Sequence, residues 1–152
     1  MSAPAACYPK ALQLLARRPH FRQQLARKLV SRGFPQEEVE ATLGRLEAQG
    51  YLDDRRCALE LASGPLRRKG FGPRRVRAEL ERRGAEEDVI QEAVSSSFPE
   101  GELSRARDLA ARWLGARSRE LPALARHLDR KGYSKQVIVR VLEDLEDESS
   151  EG

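Results

Sequence analysis

The sequence predicts an all-α chain of three tandem three-helix repeats, each resembling a helix-turn-helix unit, strung into an elongated curved array. Three observations predict it. Charged residues make up 34% and aromatics only 5% of the 152 residues, and β-branched residues are scarce. That mixture suits thin helices with solvated outer faces and disfavours sheet. Gly33, Gly84 and Gly132 lie 51 and 48 residues apart, each straight after a basic residue, namely Arg32, Arg83 and Lys131. Aliphatic residues keep register with those glycines. Four and eight residues before them stand Leu29 and Leu25, Leu80 and Val76, Leu128 and Leu124; six and ten after stand Val39 and Leu43, Ile90 and Val94, Ile138 and Leu142.

Each element follows from this register. An aliphatic pair at i, i+4 with Gly at i+8 is a helix whose buried stripe ends at a C′ glycine, where positive φ is needed. The second pair is the next helix, folded back across a short turn. Pro35 with Glu37 and Glu38, Pro73 after Gly72, and Ser134 mark helix entries. A further helical stretch precedes each pair: Ala11 to Arg18 with Leu12 and Leu15; Asp54 to Lys69 with Ala58, Leu61, Ala62 and Leu66, capped by Asp53; and Leu103 to Leu114 with Ala106, Leu109, Ala110 and Trp113. Pro65 predicts a break near Gly64. The expected units are 10–51, 52–98 and 100–147, nine helices in all. Ser95-Ser96-Ser97-Phe98-Pro99 is the expected flexible joint, and the first few residues and the acidic tail 148–152 are expected to be disordered.

Several function classes are excluded. Cys7 and Cys57 are the only cysteines, with no CxxC or Cys/His spacing, so neither a disulfide framework nor a zinc site is indicated. The N-terminus has no signal-peptide pattern, and no apolar run approaches the roughly 20 residues that span a bilayer. A cytoplasmic chain without membrane partners is expected. His20, in a turn, and His127, within a helix, have no matching nucleophile or carboxylate. Gly70-Phe71-Gly72 has neither phosphate-loop nor dinucleotide spacing and reads as a tight turn. Asp53-Asp54 reads as a cap and dipole partner rather than a metal site. No enzyme activity, metal or cofactor is expected.

What remains is surface charge. The net charge of +4 hides an asymmetry. Arg67, Arg68, Lys69, Arg74, Arg75, Arg77, Arg82 and Arg83 face only Glu79 and Glu81 over that stretch, whereas from Glu143 onward every charged residue is an acid. A basic middle with an acidic tail points to a polyanion or an acidic protein surface as partner. Arg74, Arg77 and the Arg82-Arg83 end cannot share the helix face that buries Val76 and Leu80, so they form an outward ridge beside Arg67, Arg68 and Lys69. Arg27, Lys28 and Arg32 form a second ridge; Arg126, Arg130 and Lys131 form a third. Repeating ridges on a rod suit a repetitive, negatively charged track. Solvated faces held by i, i+4 pairs are the other open reading. Arg75–Glu79 and Arg77–Glu81 have that spacing, and for Arg75 it is the better one. Phe71, Tyr51 and Tyr133 fall at helix junctions, where packing is expected rather than base stacking.

Three segments carry a family resemblance. Gly50-Tyr51-Leu52-Asp53-Asp54-Arg55-Arg56-Cys57-Ala58 resembles the GYLDDxxFA signature of the RecX family. Lys69-Gly70-Phe71-Gly72-Pro73-Arg74-Arg75-Val76-Arg77-Ala78-Glu79-Leu80 is similar to its KGxGPxxIxxEL segment, and Leu25 to Leu29 with Arg32-Gly33-Phe34 to its ELxxKLxxRGF segment. The matches span about 11–145, most closely 25–94. Cys57 replaces the usual Phe, and Phe21 stands where a small polar residue is common. The resemblance implies a regulator that binds RecA filaments on single-stranded DNA, lies along their groove and inhibits strand exchange, ATP hydrolysis and co-cleavage. The partners are then RecA, with single-stranded DNA beside it, and the chain is expected to act as a monomer. A sequence-specific helix-turn-helix DNA-binding protein is the alternative.

Overall fold

The computed structural model describes residues 4–115 and 120–151. Those residues hold helices and no strand: α1 (Pro4–Arg17), α2 (Arg22–Ser31), α3 (Gln36–Ala48), α4 (Asp54–Ser63), α5 (Pro65–Arg68), α6 (Pro73–Arg82), α7 (Glu87–Ser96), α8 (Glu102–Leu114), α9 (Leu121–Lys131) and α10 (Lys135–Glu151). The tenth segment exists because Pro65 divides one expected helix. It occupies the first position of α5, where its missing N–H costs no bond. The three repeat glycines take φ of +93°, +92° and +96°, the left-handed conformation that ends each second helix of a unit.

Three separate cores result. The first joins Cys7, Ala11 and Leu14 of α1 to Leu25, Leu29, Val39, Leu43 and Leu46, with Leu52 closing it. The second gathers Ala58, Ala62, Leu66, Phe71, Val76, Leu80, Val89, Ile90 and Ala93 around Phe21, a residue that belongs in sequence to the first unit. The third holds Ala106, Ala110, Leu124, Leu128, Tyr133, Ile138 and Val141. The close helix pairings (α1, α2 and α3 with one another; α4 and α6 with α7; α8, α9 and α10 with one another) stay inside a unit. The chain exposes 9179 Å², roughly a fifth more than a compact monomer of its 17.1 kDa mass would. Small bundles placed side by side, each with its own thin core, account for that excess.

Three expectations change. Helix α1 begins at Pro4 rather than near Ala11, because Cys7 and Ala11 are fully buried and extend its apolar stripe by a turn. Residues 1–3 lie outside the described residues. Helix α10 runs to Glu151, past the point where disorder is expected. No Gly or Pro interrupts it, and the Ser150 hydroxyl donates to the Glu146 carbonyl at 3.2 Å. The Ser95–Pro99 segment is not a loose joint. Ser97 is buried, its carbonyl accepts from Arg105 Nη1 at 3.0 Å, and the Arg105 guanidinium lies 4.3 Å from the Phe98 ring centre.

Candidate nucleic-acid interface

The expected ridge of the second unit is largely paired. Arg77 Nη1 meets Glu87 at 2.6 Å, rather than Glu81 as its spacing suggests, because α7 folds back beside α6. Arg82 and Arg83 both reach Glu79, at 2.8 and 3.9 Å, and Arg75 reaches it from the other side at 3.8 Å. The hydrogen bond from Arg82, above all, holds the Glu79 carboxyl below the usual range. Arg67 pairs with Glu100 at 3.1 Å. Exposed pairs of this kind contribute about 0–1 kcal/mol each; they compensate charge more than they stabilise.

Arg74 and Arg75 have a different task. Arg74 Nη2 donates to Asp129 Oδ1 at 3.0 Å and to the Tyr133 carbonyl at 2.8 Å, and Arg75 Nη1 to the Arg130 carbonyl at 3.0 Å. The joint between the second and third units is thus built from backbone as well as side chains. The Gly72 N–H donates to the Lys131 carbonyl at 2.7 Å, the Arg74 N–H to the Gly132 carbonyl at 3.0 Å, and the Tyr133 hydroxyl to the Gly70 carbonyl at 3.1 Å. Lys131 Nζ donates to the Lys69 carbonyl at 2.9 Å and also faces Phe71. A Cβ on Gly132 would sit 2.4 Å from the Arg75 backbone nitrogen. Buried Arg105 closes this joint, donating to the Phe71 carbonyl at 3.2 Å and lying 3.5 Å from Glu100; burial pulls its pKa down. Beside it runs a groove of about 810 Å³ whose cations are Arg67, Arg68, Arg105 and Arg112.

The joint between the first and second units is made differently. Phe21, fully buried, plugs into the second core, and the Arg22 N–H donates to Asp54 Oδ1 at 2.8 Å. The Arg22 guanidinium turns back to Glu40 and Glu47 at 3.1 and 3.0 Å. Next to the plug, buried His20 spans the α1–α2 corner: Nδ1 lies 2.9 Å from the Arg18 carbonyl, and Nε2 lies 2.7 Å from Lys28 Nζ. Since an ammonium only donates, Nε2 accepts and Nδ1–H donates, which is the neutral imidazole. Burial, first, and the nearby cations lower the His20 pKa. Burial also lowers the pKa of Lys28, reinforced by Arg18, Arg32 and Arg17. Arg17, Arg18, Arg27, Lys28 and Arg32 make no ion pair with an acid among the described residues. A pocket of about 370 Å³ opens there, its walls including Arg17, Arg18, His20, Tyr51, Asp53, Arg56 and Glu60.

The structure therefore redistributes the expected site residues. Arg27, Lys28 and Arg32 remain an uncompensated cationic face. Arg68 faces the second groove. Arg74 and Lys131 are engaged in the joint, Lys69 contributes its carbonyl to it, and Arg130 likewise lends its carbonyl. Arg17, Arg18 and Arg56 are not among the residues expected from sequence; adjacent arginines at the end of a helical stretch are the available signal. Tyr51 is not packed at its junction but 57% exposed, while Phe71 and Tyr133 are buried as expected. His127 stacks on Trp113 at 5.4 Å, burial pushes the Cys57 thiol up to about 11, and no cluster of three metal-ligating groups occurs among the described residues. No described helix is long and apolar enough to cross a membrane.

Comparison with known proteins settles the lineage. The family model for the first three-helix domain of RecX matches residues 7–46, and that for the second matches 53–94. The chain belongs to the RecX family. Both RecX models fall on the units whose cores are described above. The chain is 35% identical over 147 residues to the regulatory protein RecX of Trichlorobacter lovleyi, covering 92% of this chain and 96% of that one. It is 43% identical over 124 residues to the regulatory protein RecX of Thermus thermophilus, covering 81% and 80%. The crystal structure of RecX from Lactobacillus salivarius superposes with a TM-score of 0.80 at 18% identity, over 94% of this chain and 96% of that one. That likeness shows the fold, including the third unit beyond the two family models. A second RecX crystal structure gives a TM-score of 0.74 at 25% identity, over 92% and 71%.

Proposed function

We propose that this RecX-family chain is a non-enzymatic regulator that binds RecA filaments on single-stranded DNA, lies in the helical groove and mainly inhibits strand exchange, ATP hydrolysis and co-protease action. The observation that carries the reading is the placement, at both joints of a tandem array, of cations with no acid partner among the described residues: Arg17 and Arg18 at one, with Lys28 bonded to His20 beside them, and Arg68 and Arg112 at the other. Charges repeated along an extended molecule match a polyanionic track with a regular repeat. Several weak contacts on one rod add through effective concentration. The expected partition into 10–51, 52–98 and 100–147 serves this reading, as does a cytoplasmic monomer that needs no cofactor.

The alternative, a sequence-specific helix-turn-helix protein, fits less well. Such proteins offer the N-terminal residues of the helix after the turn to base edges, beside phosphates. In the first two units that helix opens on acids, Glu37 and Glu38 in α3 and Glu87 and Asp88 in α7, which repel the DNA backbone. The test is co-sedimentation with RecA assembled on single-stranded DNA with ATP, alongside recombinase ATPase. Retention and a fall in ATPase are expected; loss of both effects overturns the reading.

A further inference from the structure

We propose that the pocket between the first and second units takes one nucleotide of a single-stranded nucleic acid, its base stacked on Tyr51 beside Arg56 and its phosphates on Arg17 and Arg18. The proposal deepens the filament reading by assigning a contact to the strand itself, yet it concerns the chain and an oligonucleotide alone.

Tyr51 supplies the platform. Leu52, next in sequence, is 3% exposed in the first core, and the Tyr51 N–H donates to the Leu46 carbonyl at 2.9 Å. The backbone is thus fixed on both sides while the ring stands in solvent. An aromatic ring carried on a fixed backbone and left uncovered is available as a stacking surface. Its neighbours are cations: Arg56 Nη2 donates to the Gly50 carbonyl at 2.9 Å, which brings that guanidinium to the Tyr51 turn.

Across the pocket, Arg17 ends α1 and Arg18 follows it, and the corner that carries them is braced from beneath. The His20 ring holds the Arg18 carbonyl with one nitrogen and Lys28 with the other, so the backbone presenting the two arginines has little freedom. They have no acid partner among the described residues, unlike Arg67, Arg77 and Arg82. The volume, about 370 Å³, lies within the range of about 300–1,000 Å³ of small-ligand sites.

Asp53 and Glu60 decide between kinds of polyanion. They stand on the same walls, and Asp53 is engaged as a helix cap, accepting from the Arg56 N–H at 3.1 Å. A stretch of acidic peptide would bring carboxylates against them and leave Tyr51 unused. A nucleotide brings an uncharged base to the Tyr51 and Asp53 side and keeps its phosphate on the arginine side.

The experiment uses the full chain and a labelled oligothymidylate carrying 5-iodouracil, without recombinase. Photo-cross-linking mapped by mass spectrometry should place the adduct on Tyr51. Tyr51→Ala should weaken single-strand binding about tenfold, within the range known for loss of one stacked base. Tyr51→Phe should bind like the parent, and duplex binding should not respond to either change. Replacing Arg17 and Arg18 with Ala should lower the slope of log affinity against log salt by about 1.4. Adducts confined to other residues, or unchanged single-strand affinity in a Tyr51→Ala protein with the parent's thermal transition, overturn the proposal. Displacement of the oligonucleotide by polyglutamate at equal charge concentration does so too. Recombinase co-sedimentation that fails beside a Tyr51 adduct sinks the filament reading and leaves this one standing.

Discussion

The two joints of the molecule solve the same problem by opposite means. Between the first and second units an apolar plug, Phe21, crosses into the neighbouring core, and one capping-type bond, from the Arg22 N–H to Asp54, fixes its direction. Between the second and third units the contact is polar. Two backbone amides, a tyrosine hydroxyl and three cationic side chains bond across the Gly132 turn. A plug needs few polar groups, so Arg17 and Arg18 beside it keep no acid partner among the described residues. An interlocked backbone absorbs the charges near it. The segment that looks most basic in sequence is therefore the one most committed to architecture, while Arg17, Arg18, Arg27, Lys28 and Arg32 of the first unit have no acid partner among the described residues.

The sharpest way to break this comparison is Gly132→Ala. The new methyl would stand 2.4 Å from the Arg75 backbone nitrogen at a φ of +96°. Strain and clash together cost about 2–6 kcal/mol. Hydrogen exchange should show the Gly72 and Arg74 amides losing protection while the first core keeps its own.

Phe21→Ala attacks the other joint. Removing a fully buried phenylalanine costs about 3–5 kcal/mol, read as a lower denaturation midpoint, with the first and second units losing their coupling. Because the Phe21 side chain packs in the second core, loosening confined to α1 would contradict the plug assignment.

Charge reversal on α6 gives a smaller and more selective effect. Reversing Arg74, Arg77 and Arg82 together also strips the third unit of its Arg74 clamp, so Arg77→Glu with Arg82→Glu is the cleaner pair. Both residues sit in exposed ion pairs, and stability should shift by no more than about 2 kcal/mol for the two together. Filament retention at moderate salt should weaken less than when Arg17 and Arg18 are reversed.

The smallest expected effect is a pH dependence from His20. Burial lowers its pKa from the ordinary 6.5, so the unfolded chain takes up the proton first as pH falls. Stability is whole above about 6.5 and declines below it, toward the lowered folded value. His20→Gln should flatten that part of the curve; an unchanged slope would mean the ring is not the group responsible.

Much of the fold is legible in the chain. The glycine register, the paired aliphatic columns and the Pro65 break all describe contacts within a unit, where neighbours in space are near in sequence. What is illegible lies between units. Nothing in the periodicity distinguishes Phe21 as a plug, since its partners come from α4 onward, and the Gly72–Gly132 approach joins residues with no local relation. The arginines illustrate the same limit. Outward projection of Arg74, Arg75 and Arg77 follows from helix geometry, but whether solvent, Glu87 or another unit meets them depends on packing. Tyr51 reads as junction packing because aromatics beside turns usually are covered, and here Leu52 takes that place.

Electron microscopy of RecA filaments on single-stranded DNA, decorated with this protein, tests the account most directly. Density should follow the groove, with the second and third units in one fixed relation and the α1–α2 corner turned toward the strand. Bare grooves at saturating protein, or a third unit that swings free of the second, would contradict it.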